Sequence, residues 1–193
     1  MTKHQVYRWL KKNDPMLYYL SLSKESLVDG NLELRDLGKL FSDPNEYIQR
    51  DYINKNTSLK VIKRKDGDLN ATGFDLITTD SILKIQSKLR ATAIHLEQTR
   101  RKSKKNTNSS NTGHVRYSVG EADVYIFSRP DCSDYLNLKK WQYIAIPETA
   151  LIDPKNPKYL LPRVPKRIWK NYISNFVEIL ENKYLEKKGD VNG

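Results

Sequence analysis

The stretch Gly73–Arg90, GFDLITTDSILKIQSKLR, constrains the fold more than any other part of the chain. Two apolar runs, Phe74–Thr78 and Ile82–Leu89, flank the polar residues Thr79, Asp80 and Ser81. Apolar β-formers on either side of a short polar break predict a β-hairpin, although the favoured Asn-Gly turn pair is missing. A turn from Thr79 to Ile82 sets Asp75 opposite Gln86. Alternation along the second strand puts Ile82, Lys84, Gln86, Lys88 and Arg90 on one face, and Leu83, Ile85, Ser87 and Leu89 on the other. One side of the ribbon then gathers a carboxylate, an amide and an ammonium, while the other offers apolar anchors to a core. A half-exposed strand also has a polar face for solvation alone. From these residues by themselves, a site and a solvated ribbon are both open.

The charge balance bears on that choice. Lys and Arg exceed Asp and Glu by enough to give a formal net charge of +11 over 193 residues. So large an excess favours a polyanionic partner, nucleic acid first and an anionic membrane surface second. No apolar run approaches the ~18 residues of a membrane span, and the N-terminal MTKHQVYRWLKKNDP lacks the apolar core of a signal peptide. Cys132 is the only cysteine, which excludes an intrachain disulfide and a cysteine zinc site and fits a reducing cytoplasm. His4, His95 and His114 show no metal-ligand spacing.

Along the chain, residues 4–12 and a segment from Pro15 predict short helices. Ser42-Asp43-Pro44 predicts the start of another, carrying Glu46 and Asp51 and ending near Asn54-Lys55-Asn56. Leu59–Arg64 predicts a strand before the hairpin, and Ala91–Gln98 one after it, with Glu97 on the second. Arg100, Arg101, Lys102, Lys104 and Lys105 then crowd together ahead of the polar run Asn106–Thr112. Such a run predicts a mobile phosphate clamp, with Arg90 a further basic candidate. Asp123–Ser128 is apolar on both faces, as a central strand would be. Glu121 and Asp123 form a second acidic pair, a rival site should the hairpin register differ. Tyr143–Ile146 predicts a strand, and residues 153–165, with their four prolines, extended loop. Ile168, Tyr172, Ile173, Phe176, Ile179, Leu180 and Tyr184 predict one helix over 165–187.

Gly73-x-Asp75 followed by Gln86-x-Lys88 on the next strand resembles the PD-(D/E)xK nuclease superfamily in its Q-x-K variant, and most of all a type II restriction endonuclease. Phe74 stands where that family has proline, and Gln86 where it usually has an acidic ligand. The resemblance implies an α+β or mixed α/β fold, restriction-endonuclease-like, with a central mixed β-sheet flanked by helices. Residues 1–193 would form a single nuclease domain: a helical part over 1–56, a strand-rich catalytic core over 57–147 and a C-terminal helix over 165–187. Asp75, Gln86 and Lys88 would be catalytic. Asp75 and Gln86 would hold Mg2+, with Mn2+ able to substitute, and Glu46 or Glu97 would complete the metal shell. The implied substrate is double-stranded DNA, cut by a cytoplasmic homodimer. A non-enzymatic DNA- or RNA-binding protein is the alternative that the same charge supports.

Overall fold

The computed structural model describes residues 8, 42–64, 73–90, 93–96, 98–101, 112–131 and 137–192. The predicted helices at 4–12 and beyond Pro15 lie outside the described residues, apart from Arg8. Helix α1 (Ser42–Asn56) follows the Ser-Asp-Pro start signal. Among its buried residues, Asn45, Ile48, Gln49 and Ile53 recur at helical spacing, so one face meets the protein. Two of the four are amides, and both are used. Asn45 Nδ2 donates to Ser87 Oγ at 2.8 Å, and Gln49 Nε2 donates to Ser128 Oγ at 2.8 Å. These bonds fix the helix against two specific strands, where apolar contact alone would let it slide.

Strands β1 (Val61–Lys63), β2 (Leu76–Thr78), β3 (Lys84–Leu89), β6 (Val124–Arg129) and β7 (Gln142–Pro147) form a five-stranded sheet in the order β1-β2-β3-β6-β7. β4 (Gln98–Arg101) and β5 (Thr112–Val115) make a separate two-stranded antiparallel pair. The sheet is mixed: β3 and β6 are parallel, and all other neighbours are antiparallel. β3 is therefore the middle strand. Leu76 faces Ile85 and Ile77 faces Lys84, which is the register predicted from the Thr79–Ile82 turn. Ser81 takes φ +64 in that turn, the left-handed position where glycine or asparagine is usual.

Two apolar layers cover the sheet. Leu76, Leu83, Ile85, Val124 and Ile126 meet Ile48 and Ile53 of α1 and Phe176 and Leu180 on one face. Tyr125, Phe127, Ile144 and Ile146 meet Ile94, Leu96, Tyr117, Leu160 and Val164 on the other. β6 feeds both, and all but its last residue are buried.

The structure corrects two expectations. The stripe read as one helix over 165–187 is broken. α2 (Lys166–Trp169) and a 3-10 turn (Lys170–Tyr172) are separated from α3 (Phe176–Asn192) by residues 173–175. Ile168, Trp169, Tyr172 and Ile173 pack on the second layer, whereas Phe176, Ile179, Leu180 and Tyr184 pack on the first. A straight helix cannot serve both faces of a sheet, and Ser174-Asn175 is a sequence that favours caps over helix interiors. The predicted strand 91–98 is also not formed over residues 93–96; only Gln98, its last residue, is in a strand, as the start of β4. Residues 93–96 hold only an isolated bridge, His95 to Arg163, because their partner is the proline-broken segment and not the sheet.

No helix among the described residues is long and apolar enough to cross a membrane. The docking of α3 gives a direct test. Leu180→Ala, at a fully buried position, should cost about 2–5 kcal/mol in chemical denaturation. Leu185→Ala, at 62% exposure on the same helix, should stay within about 0.5 kcal/mol of the parent.

Candidate active site

β3 carries a polar group on the second layer at every other position. Its parallel register with β6 sets Gln86 beside Tyr125 and Lys88 beside Phe127, so both side chains project into that layer. Asp75 lies one residue before β2, and its N–H donates to Ile85 O at 3.0 Å. Its carboxylate is held by two donors on Oδ2: the Gln86 side-chain amide, in a short hydrogen bond, and the Ser87 backbone N–H at 2.9 Å. Oδ1 is the oxygen left with capacity for another ligand.

The electrostatics follow from this burial. Desolvation pushes the Asp75 carboxyl above the usual carboxylate range, against the opposing pull of Lys88, the Ser87 N–H, Lys63 and Arg64. Burial pushes the Lys88 ammonium down to about 8, against the stabilising charges of Asp75, Glu46 and Glu121. Lys88 Nζ also sits 5.0 Å from the Tyr117 ring centroid, a cation–π contact that supports the charge from below. Asp75 and Lys88 are thus each other's principal counter-charge.

Glu46 projects from α1 toward the same region, where its Oε2 pairs with Lys63 Nζ at 2.8 Å. Glu121 arrives from the other side. Gly120 takes φ +92 and donates its N–H to Glu148 Oε1 at 2.8 Å, and Val119 N–H donates to Lys158 O at 3.1 Å. This loop brings Glu121 against Gly73, which takes φ +109. A Cβ on Gly73 would lie 2.4 Å from the Glu121 Cβ, so only glycine allows the approach. Asp123 is engaged elsewhere. It accepts from Lys84 N–H at 2.8 Å and pairs with Lys187 Nζ at 2.8 Å, so it does not join Glu121 in the acidic pair considered from sequence.

Asp75, Gln86, Lys88 and Glu46 therefore belong to one neighbourhood. Arg90 turns inward: its Nε donates to His95 O at 2.9 Å and its Nη1 to Leu89 O at 2.8 Å. Arg100 and Arg101 lie on β4, while Glu97, Lys102, Lys104 and Lys105 lie outside the described residues. Sequence reasoning missed a second basic segment. Lys158, Arg163, Lys166, Arg167 and Lys170 are exposed on the chain that covers the second layer, on the same face of the sheet as Gln86 and Lys88. The signal was present as Lys158 and Arg163 among the prolines of 154–165, read only as extended loop, and as Lys166, Arg167 and Lys170 in the stretch read only as helix. Among the described residues, no three His, Cys, Asp or Glu side chains gather as a ready-made metal site.

Gly73 and Gly120 make a matched pair for testing this geometry. Both hold positive φ, but Gly120 has open space where a Cβ would go. Gly73→Ala should lose about 1–3 kcal/mol for the backbone alone and more for the clash with Glu121. Gly120→Ala should lose only the backbone part. Equal losses in urea denaturation would show that the close approach of Glu121 does not exist in solution.

Comparison with protein-family models, with curated protein sequences and with solved structures finds no match to this chain.

Proposed function

We propose that the protein is a Mg2+-dependent endonuclease hydrolysing phosphodiester bonds in double-stranded DNA. In this reading it acts in the cytoplasm as a homodimer with the sequence specificity of a type II restriction enzyme. The observation that carries the reading is the meeting of Asp75, Gln86 and Lys88 at one end of an antiparallel hairpin, in the Gly73-x-Asp75 and Gln86-x-Lys88 spacing. The mixed sheet with helices on its flanks, and Glu46 on the helix that precedes the hairpin, lend further support. The +11 net charge suits a polyanionic substrate.

The side chains fit a hard divalent cation. Asp75 Oδ1 is not engaged by the two donors on Oδ2, and the Gln86 amide, turned over, would present Oε1 beside it. Oxygen donors of this kind suit Mg2+, which keeps several of its own waters. When bound, Mg2+ neutralises charge at the scissile phosphate and lowers the pKa of a coordinated water. The chain's own residues do the rest. Asp75 and Gln86 would hold the cation, and so set the position of the phosphate bound to it relative to the hairpin. Lys88, braced on Tyr117, offers its ammonium where charge develops in the transition state. Arg100, Arg101, Lys102, Lys104 and Lys105, with the exposed cations of 158–170, hold the flanking phosphates.

Incubation with long DNA of varied sequence in Mg2+, followed by sequencing of the ends, tests the reading. Discrete fragments support it, and a smear points to a nuclease without sequence preference. Intact DNA that is nevertheless bound points to the non-enzymatic nucleic-acid-binding alternative. Asp75→Ala and Lys88→Ala should each lower single-turnover cleavage by at least about a hundredfold, the scale of losing one transition-state donor. DNA binding should persist in both. Raised Mg2+ or Mn2+ should partly restore Asp75→Ala and not Lys88→Ala. Cleavage at the parent rate in both variants would remove the hairpin from the mechanism.

Gln86→Glu separates the metal role from a merely structural one. Without divalent ions it sets a second carboxylate against Asp75, so the melting temperature should fall. With Mn2+ the added charge strengthens the site, so the variant should gain more on metal addition than the parent does. The same loss with and without Mn2+ would show that no cation binds between the two side chains.

A further inference from the structure

Four side-chain polar atoms are buried without a hydrogen-bond partner among the described residues, and two of them, Glu121 Oε2 and Tyr125 Oη, lie in the second layer beside the hairpin. Glu121 Oε1 accepts from Ser118 N–H at 3.3 Å, which anchors one oxygen and leaves the other uncompensated. An unpaired carboxylate oxygen withdrawn from water is costly. Natural folds keep such a group where something binds it. Glu46 differs in this respect, because Lys63 already matches its charge at 2.8 Å.

Resting on the endonuclease reading above, we infer that Glu121 supplies the remaining carboxylate to the divalent cation held by Asp75 and Gln86, directly or through one of the cation's own waters. Three observations converge on this role. Glu121 is packed against Gly73, two residues before Asp75, at a contact that only glycine permits. It is one of the three carboxylates, with Asp75 and Glu46, whose charge acts on Lys88. Its free oxygen is buried and unsatisfied. Gln86 is neutral where a second charged ligand is usual, so a carboxylate from the loop before β6 restores the missing charge.

Mn2+ titration of the DNA-free protein, followed by calorimetry and by the electron paramagnetic resonance of unbound Mn2+, tests this without any cleavage assay. Glu121→Gln and Asp75→Asn should each weaken Mn2+ binding by at least about tenfold, since even groups one step removed from a metal cost about 10–100-fold when lost. Glu46→Gln should change it by less than about threefold, as its charge is already matched by Lys63. Glu121→Gln should melt close to the parent temperature without metal, because it keeps the side chain's shape and the oxygen it replaces has no hydrogen-bond partner to lose, and should lose most of the parent's Mn2+-induced gain. A structural role would lower the metal-free melting temperature instead. Parent-like Mn2+ affinity in Glu121→Gln, with Asp75→Asn impaired, would overturn the inference and leave the hairpin site standing. No Mn2+ binding by the parent at millimolar concentration would overturn both.

Discussion

The burial of Lys88, coupled electrostatically to Asp75, governs the rest of the structure, because Lys88 sits on the middle strand of a covered sheet. β3 has neighbours on both sides and packed layers on both faces, so past the exposed Lys84 at its start its polar side chains are buried or half-buried. The fall of the Lys88 ammonium from 10.5 to about 8 corresponds to about 3 kcal/mol against its charged form. The fold carries that cost in full below pH 8, and it fades as pH rises toward 10.5. A buried pair seldom repays its desolvation by attraction alone. A leucine at position 88 would suit a purely structural sheet better. The charges of Asp75, Glu46 and Glu121 and the ring of Tyr117 offset part of the cost of burying Lys88.

The scaffold keeps Asp75 and Lys88 in position by tying the cover to the sheet on both faces. On one face the amides of Asn45 and Gln49 hold the helix to Ser87 and Ser128. On the other, Arg116 donates to Asp153 Oδ2 and to Leu160 O, both at 2.6 Å, which fastens the proline-rich cover over Tyr117 and Tyr125. Arg129 stacks on Trp169 at 4.5 Å and closes the same layer near α2. Each tie uses polar groups at defined spacing, so the site is set by hydrogen-bond register as well as by apolar contact.

Legibility of the sequence varied by element. The hairpin could be read because a strand pattern and a turn length fix a register, and Leu76 opposite Ile85 follows from local chemistry. β6 could be read because a doubly buried strand needs apolar residues on both faces. The C-terminal stripe misled for a related reason. Helical spacing over 165–187 records which side chains are buried, but not that Trp169 and Phe176 are buried on opposite sides of one sheet. The strand expected at 91–98 misled because alternation shows a covered extended segment without showing its partner.

The sequence by itself determined the hairpin, its register, the shared side of Asp75, Gln86 and Lys88, and the surplus of positive charge. All of these depend on residues close together in the chain or on composition. Only the tertiary structure decided that β3 is the middle strand, that Asp123 is taken up by Lys84 and Lys187, and that Glu121 comes to rest against Gly73. Those outcomes depend on which distant segments pair, here β3 with β6 across more than thirty intervening residues. The cost of closing so long a loop depends little on its sequence. No local pattern therefore records that the closure sets Glu121 against Gly73.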